Sequence, residues 1–248
     1  MKLSVVIPAY NRHELTVRHV EECLKSTRFP DEIIVVNDGG PANLRDLLRT
    51  SLATTDVAVP IIYANITEDI LWNYNGACNL GFWIASGDIV ALEDTDHIPG
   101  RTVYEDAVRF FENPANAEIE RLAFSRNVLE QSELSKPMEE WTVSRHWGPN
   151  DMVSVMKRSL YVRMKGQDER MARNYGYMAY DWKWRMKKLG VKSSKIHGYW
   201  AVVGDGGEPG LKRGLSPANR RILHENAHRT DGQYAGGLLN FNYTVEKL

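Results

Sequence analysis

The chain has 248 residues, 43% hydrophobic and 25% charged, the make-up of an ordinary globular protein long enough to bury a substantial core. Its 31 Lys and Arg against 32 Asp and Glu leave a formal net charge of -1, so no global basic field exists to hold a nucleic acid or an acidic membrane. Two cysteines, Cys23 and Cys78, supply neither a disulfide framework nor ligand spacing, and no apolar run reaches membrane-span length or the form of a signal peptide. The default compartment is the reducing cytoplasm, and any membrane association is peripheral.

Leu3 to Ile7 is an apolar run interrupted only by Ser4 and stopped by Pro8, the pattern of a buried parallel strand. Leu15, Val20, Cys23 and Leu24 follow at close to helical spacing. Glu32 to Val36 is a second buried strand, ended by the turn cluster from Asn37 to Pro41. Ala42 to Leu52 predicts a second amphipathic helix and Pro60 to Tyr63 a short third strand. Tyr74 to Ser86 predicts a third helix whose glycines, Gly76 and Gly81, point to close packing or close ligand approach. Asp88 to Leu92 is a fourth strand.

The second half is less regular. Arg121 to Leu129 and Met152 to Met156 read as strands, Ser159 to Met164 as a short helix, and Tyr177 to Leu189 as a firm helix whose Lys187 and Lys188 suit its C-terminus. Between them Glu130 to Asn150 is polar and holds Trp141 and Trp147, rings that either stack on an acceptor or anchor a long loop. Beyond Gly204 the chain is rich in glycine, charge and turns. The whole reads as one α/β domain, residues 1–248. A mostly parallel, Rossmann-like sheet carries helices on both faces, residues 1–100 form its regular half, and residues 101–248 form the less regular one.

Parallel sheets of this kind bind ligands beyond the C-terminal ends of their strands. Three polar clusters stand there: Tyr10-Asn11-Arg12, Asn37-Asp38-Gly39 and Glu93-Asp94-Thr95-Asp96-His97. Asp94 and Asp96, one residue apart after a buried strand, suit a hard divalent cation that also takes diphosphate oxygens; alone, they also read as an ordinary acidic turn. Asp38 can accept a hydrogen bond from a base or ribose, Tyr10 can stack on a base, and Arg12 can reach a phosphate. His13, His19, His97, His146, His197 and His228 show no pairwise spacing that compels a metal site. Trp182 and Trp184 flank Lys183 on one helix, so one packs inward while the other faces away.

The run from Ser4 through Pro8, Ala9 and Tyr10 to Arg12 resembles the opening of the family 2 glycosyltransferases, which have the glycosyltransferase A (GT-A) fold. Ile34 to Gly40 is similar to their second strand and its Asp-Gly turn. Asn75-Gly76-Ala77-Cys78-Asn79-Leu80-Gly81, then Ala85 to Asp88, is similar to the helix leading into their Asp-x-Asp motif, here Asp94-Thr95-Asp96. The likeness resumes more weakly at Gly166-Gln167-Asp168-Glu169 and from Tyr175 through Asp181 and Arg185 to Gly190. It implies a probe set of donor-binding residues: Pro8, Ala9, Tyr10, Arg12, Asp38, Asn75, Gly76, Asn79, Asp94, Thr95 and Asp96. It implies Mn2+ or Mg2+ as cofactor and a nucleoside-diphosphate sugar as donor, a UDP-sugar favoured over a GDP-sugar. The acceptor is open among glycan, protein and modified nucleic-acid base.

The chain departs from the family in three places. Cys78 stands where many relatives have Arg. The relatives' Glu-Asp pair falls on Met178-Ala179, which makes Asp181 the first candidate for general base and Asp168 or Glu169 the alternatives. The histidine that completes metal binding in relatives falls near Gly204-Asp205, so Asp205 or His224 is the expected substitute. The resemblance implies an inverting glycosyltransferase. A catalytically inactive sugar-nucleotide or glycan-binding relative stays open, as does a nucleotidyltransferase, although the latter usually has a glycine-rich loop after its first strand and Pro8 to Arg12 has no glycine.

Overall fold

A computed structural model describes the chain apart from residues 41–42, 56–57, 204–214 and 235. Its elements run β1 (Leu3–Ala9), α1 (His13–Cys23), β2 (Glu32–Asp38), α2 (Leu44–Leu52), β3 (Ile61–Ile66), α3 (Tyr74–Ile84) and β4 (Ile89–Leu92). They continue β5 (His97–Pro99), α4 (Val103–Glu112), β6 (Arg121–Glu130), β7 (Arg145–Trp147), β8 (Ser154–Lys157) and α5 (Arg158–Arg163). The last are α6 (Met178–Lys188), β9 (Ser193–Val203), α7 (Pro217–His228) and β10 (Tyr243–Lys247).

The centre of the sheet is parallel. β1 lies between β2 and β4, and β3 flanks β2, all in the same direction. Every residue of β1 is buried, because helices cover both faces of the sheet. Leu3, Val5, Ile7 and Ala9 face one core with α1, α2 and α4, while Val6 faces the other with α3, α5 and α6. That is the period-two alternation of a strand expressed as two hydrophobic layers. α3 lies close on its side of the sheet because Gly81 has no side chain: a Cβ there would meet Val6 Cγ1 at 2.2 Å.

The second half extends this centre with antiparallel pairings. β8 runs against β4 and β6, β7 against β6, and β5 against β9, while β6 and β9 are parallel. β10 closes the other edge by pairing antiparallel with β3. Trp182 is buried at 1% exposure and Trp184 is exposed, as their spacing requires. Trp141 is buried edge-on against Trp200 and anchors its loop, whereas the Trp147 ring contacts the guanidinium groups of Arg126 and Arg145.

The readings of β1, β2, β3, α3, β4, β6, β8, α5 and α6 fall on these elements within a few residues. α4, β5, β7, β9, α7 and β10 have no counterpart in the sequence reading. β9 mixes exposed and half-buried positions along its first half, which hides its periodicity. α7 did carry a signal: Ser216 caps Asn219 N and Pro217 occupies the first turn.

Candidate active site

The parallel strands end on one rim, and the turn after β4 is its most charged point. Asp94 and Asp96 are half-buried, and the ring of His97 lies beside them. His97 Nδ1 is 2.7 Å from Asp96 Oδ1 and 3.8 Å from Asp94 Oδ2. Arg126 Nη1 on β6 lies 2.8 Å from His97 Nε2, on the side of the ring away from Asp96. Arg12 Nη1 pairs with Asp96 Oδ2 at 3.0 Å. Asp94 takes hydrogen bonds from the Tyr74 hydroxyl and, at 3.3 Å, from Asn150 Nδ2.

These surroundings drive the two carboxyls apart. Burial raises Asp94 above the usual carboxylate range, and the neighbouring Asp96 adds to the effect. Burial also works to raise Asp96, but the hydrogen bond and charge of His97, with Arg12, outweigh it and hold Asp96 below that range. The two carboxyls are thus pushed in opposite directions, the sort of arrangement found where a cation or a proton is handled.

A divalent cation fits this donor set. One ligand atom each from Asp94, Asp96 and His97 lies within 4.8 Å of the others, and two carboxylates with one imidazole can hold a divalent metal ion. The third member of this group is His97, whereas the sequence reading looked to Asp205 or His224. Asp205 lies outside the described residues. His224 is exposed on α7 and is absent from both three-residue ligand groups among the described residues.

The other expected donor-site residues divide into two sets. Pro8 and Ala9 are buried at the end of β1, where the Pro8 carbonyl accepts a 2.8 Å hydrogen bond from Thr95 Oγ1 and ties the first strand to the acidic turn. Tyr10 is 41% exposed, its hydroxyl 3.4 Å from Asp69. Asp38 is buried at the end of β2 with no hydrogen-bond partner on Oδ1. Burial, with help from Asp69 and against an offset from Asn73, pushes its pKa up to about 7. Asn75 and Asn79 instead turn toward the segment after Gly166. Asn75 Nδ2 donates to the Asp168 carbonyl at 2.8 Å, and Asn79 Nδ2 to Gln167 and Glu169 at 2.9 and 2.7 Å. Gly76 leaves room that a Cβ would take from Asn73 and Phe241.

The three carboxylates considered for general base are all enclosed. Asp181 is 2% exposed, with Oδ2 held by Arg185 Nε at 2.7 Å and Oδ1 by Asn226 Nδ2 at 2.8 Å. Asp168 is 0% exposed and paired with Arg170 and Asn226. Glu169 accepts from the backbone of Leu239 and Asn240 and from Asn79. These groups hold α6, α7 and the C-terminal stretch together.

The sequence reading placed His97 in the cluster without giving it a role, and it missed Tyr74, Arg126 and Asn150 as neighbours. His97 follows Asp96 directly, so adjacency was a usable signal. Arg126 and Asn150 reach the site only through the packing of β6 and the loop before β8, and nothing local marks them.

The profile of glycosyl transferase family 2 matches residues 4–154, more than half of the chain, and the chain belongs to that family. It is 34% identical over 99 residues to an uncharacterized glycosyltransferase of Nostoc sp., a match covering 40% of this chain and 29% of that protein. It is 30% identical over 119 residues to validoxylamine A glucosyltransferase of Streptomyces hygroscopicus subsp. limoneus, covering 47% and 25%. The match thus spans about a quarter to a third of these relatives' length. Among solved structures, S. aureus TarS 1-349 in complex with UDP-GlcNAc superposes with a TM-score of 0.63 at 13% identity, covering 82% of this chain and 59% of that one. The mannosyltransferase PcManGT from Pyrobaculum calidifontis in complex with GDP-Man and Mn2+ gives a TM-score of 0.58 at 18% identity, covering 92% and 69%. The fold is that of the GT-A glycosyltransferases.

Proposed function

We propose that this protein transfers a sugar, with inversion, from a nucleoside-diphosphate sugar to an acceptor, and that it does so with a divalent cation held by Asp94, Asp96 and His97. The observation that carries the reading is the meeting of these three ligand atoms within 4.8 Å on the C-terminal rim of a parallel sheet. Family membership and the nucleotide-sugar complexes of the two structural neighbours support it. When bound, the cation stabilises negative charge on the departing diphosphate. Asp38 and Tyr10 flank the deeper part of the rim, where Asp38 Oδ1 offers an acceptor to the nucleoside. Arg12 and Arg126, both within reach of the acidic turn, balance its charge and can contact phosphate oxygens. A UDP-sugar is the favoured donor and a GDP-sugar the next.

Inversion needs a group that takes the acceptor proton. Asp181, enclosed by Arg185 and Asn226, fits an internal ion pair better than this role. Asp151 is a more open carboxylate: it follows Asn150, which contacts Asp94, and its side chain is 29% exposed. The enclosure of Asp181 also favours a second reading, a sugar-nucleotide-binding relative without turnover. Incubation with UDP- and GDP-sugars with and without Mn2+, following release of free sugar, separates the two. Slow, Mn2+-dependent donor hydrolysis is the expected result. Binding without hydrolysis leaves the second reading, and no binding of either donor overturns both.

A further inference from the structure

Directly behind the acidic turn lies a buried polar cluster that the transfer reaction does not use. Glu93, the residue before Asp94, is 0% exposed. Its carboxyl group meets three surrounding elements: His19 Nε2 on α1 at 2.7 Å, Tyr104 Oη on α4 at 3.1 Å from both oxygens, and the Tyr199 hydroxyl on β9. His19, Tyr104 and Tyr199 are likewise 0% exposed. The second nitrogen of the His19 ring, Nδ1, lies 3.2 Å from the carbonyl of Thr95, the residue between the two metal-binding carboxylates. Thr95 is also tied to β1 through its hydroxyl, and Glu93 N donates to Val6 O at 3.0 Å.

A carboxyl group enclosed in a hydrophobic layer is costly to desolvate, and an apolar side chain at this position would pack against the same core at no such cost. Stability therefore gives no reason for Glu93 to be there. Its bonds do give one, because they converge on the backbone of the turn. Glu93 and His19 anchor the chain on one side of Asp94 and at the carbonyl between Asp94 and Asp96. Those anchors set the peptide planes from which both carboxylates project.

His19, Cys23 and Glu93 also offer three ligand atoms within 4.8 Å of one another. A second metal is not needed to explain them, since Tyr104, Tyr199 and the Thr95 carbonyl already occupy their polar atoms and Cys23 Sγ lies 3.0 Å from Tyr104 Oη.

We infer that His19 and Glu93 are positioning residues that hold the Asp94-Thr95-Asp96 turn in its cation-binding shape from inside the protein. The inference rests on the metal reading above and extends it to residues that touch neither cation nor substrate. Supporting groups behind metal ligands commonly change metal affinity by about 10–100-fold when removed.

The test is the double substitution His19→Leu with Glu93→Leu, which replaces the polar pair by apolar side chains. Mn2+ affinity is measured by calorimetry without donor, stability by thermal unfolding, and turn mobility by amide hydrogen exchange over residues 94–97. The expected result is a Tm equal to or above that of the parent, Mn2+ affinity lower by about 10–100-fold, and faster exchange in the turn. Unchanged Mn2+ affinity in a folded variant overturns the inference whatever happens to the Tm. If the double variant does not fold, Tyr104→Phe removes one donor to Glu93 with little change in volume. It is expected to weaken Mn2+ binding several-fold, and parent-like binding counts against the inference in the same way. Glu93→Gln, which keeps hydrogen-bonding atoms in place, should retain most of the affinity. A parent that binds no Mn2+ overturns the metal reading and this inference together, whereas parent-like binding by the folded variants overturns this inference alone.

Discussion

Asp96 and Asp38 sit on the same rim but respond to different forces. Asp96 is stabilised as a carboxylate by His97 and Arg12, which is the state a cation requires. Asp96→Ala is expected to abolish Mn2+-dependent donor binding while leaving thermal unfolding close to that of the parent, and calorimetry with UDP-sugar and Mn2+ checks this. Retained, metal-dependent affinity would make the turn a structural feature. Asp38 is stabilised as the neutral acid, with its pKa raised from 3.8 to about 7. Between these values the folded protein holds a proton that the unfolded chain has lost, so stability falls as pH rises through that window. Asp38→Asn is expected to flatten this slope, giving a higher Tm than the parent above pH 7 and little difference near pH 4. Asp38→Ala, which removes the acceptor, should bind UDP more weakly above pH 7, by roughly 1.5–3 kcal/mol, if Asp38 Oδ1 meets the nucleoside. Thermal melts across pH and nucleotide titrations read the two effects separately.

At the scale of elements, the site depends on helices packed close to the parallel strands. α3 passes over β1 at Gly81, and it also carries Tyr74, whose hydroxyl reaches Asp94. Gly81→Val places atoms where Val6 already lies and adds a β-branched residue to a helix. It is expected to destabilise the fold by about 1–3 kcal/mol and, by shifting α3, to loosen the Tyr74 contact. Chemical denaturation measures the first consequence and Mn2+ affinity the second. The strands and helices of this half were legible because their apolar periods differ: nearly unbroken runs for buried parallel strands, helical spacing between them. β5 and β7 have three residues each and carry no such period, so only their partners β9 and β6 define them.

Across the whole molecule, both hydrophobic cores draw residues from both halves, and a polar network adds to them within the second half. Asp181, Arg185, Asn226, Asp168 and Arg170 form a buried network joining α6, α7 and the segment after Gly166. Arg185 also donates to the carbonyls of Met164 and Gly166, each at 2.9 Å. Removing one member leaves the others buried without partners, which in such networks costs about 3–5 kcal/mol. Asp181→Asn is therefore expected to lower the Tm strongly while activity per folded molecule stays near the parent's, as read by thermal melts and by turnover normalised to folded protein. A stably folded Asp181→Asn protein with turnover reduced 10²–10⁴-fold would restore Asp181 as the base. No helix among the described residues is long and apolar enough to cross a membrane.

Much of this arrangement followed from residue order alone. Apolar runs such as Leu3 to Ile7, broken by Pro8, specify buried strands because only a sheet covered on both faces tolerates them. The parallel order then puts Tyr10, Asp38 and Asp94 on one rim, so the rim and the proximity of Asp94 and Asp96 to it were accessible before any coordinates. Which side chain joins those two carboxylates was not. His97 takes that place because β5 turns back beside β9, and Arg126 caps it because β6 runs alongside. The burial of Asp181 and the enclosure of Glu93 by His19, Tyr104 and Tyr199 are likewise properties of packing: the partners lie far apart in sequence, and hydrogen bonds between distant segments leave no local period to read.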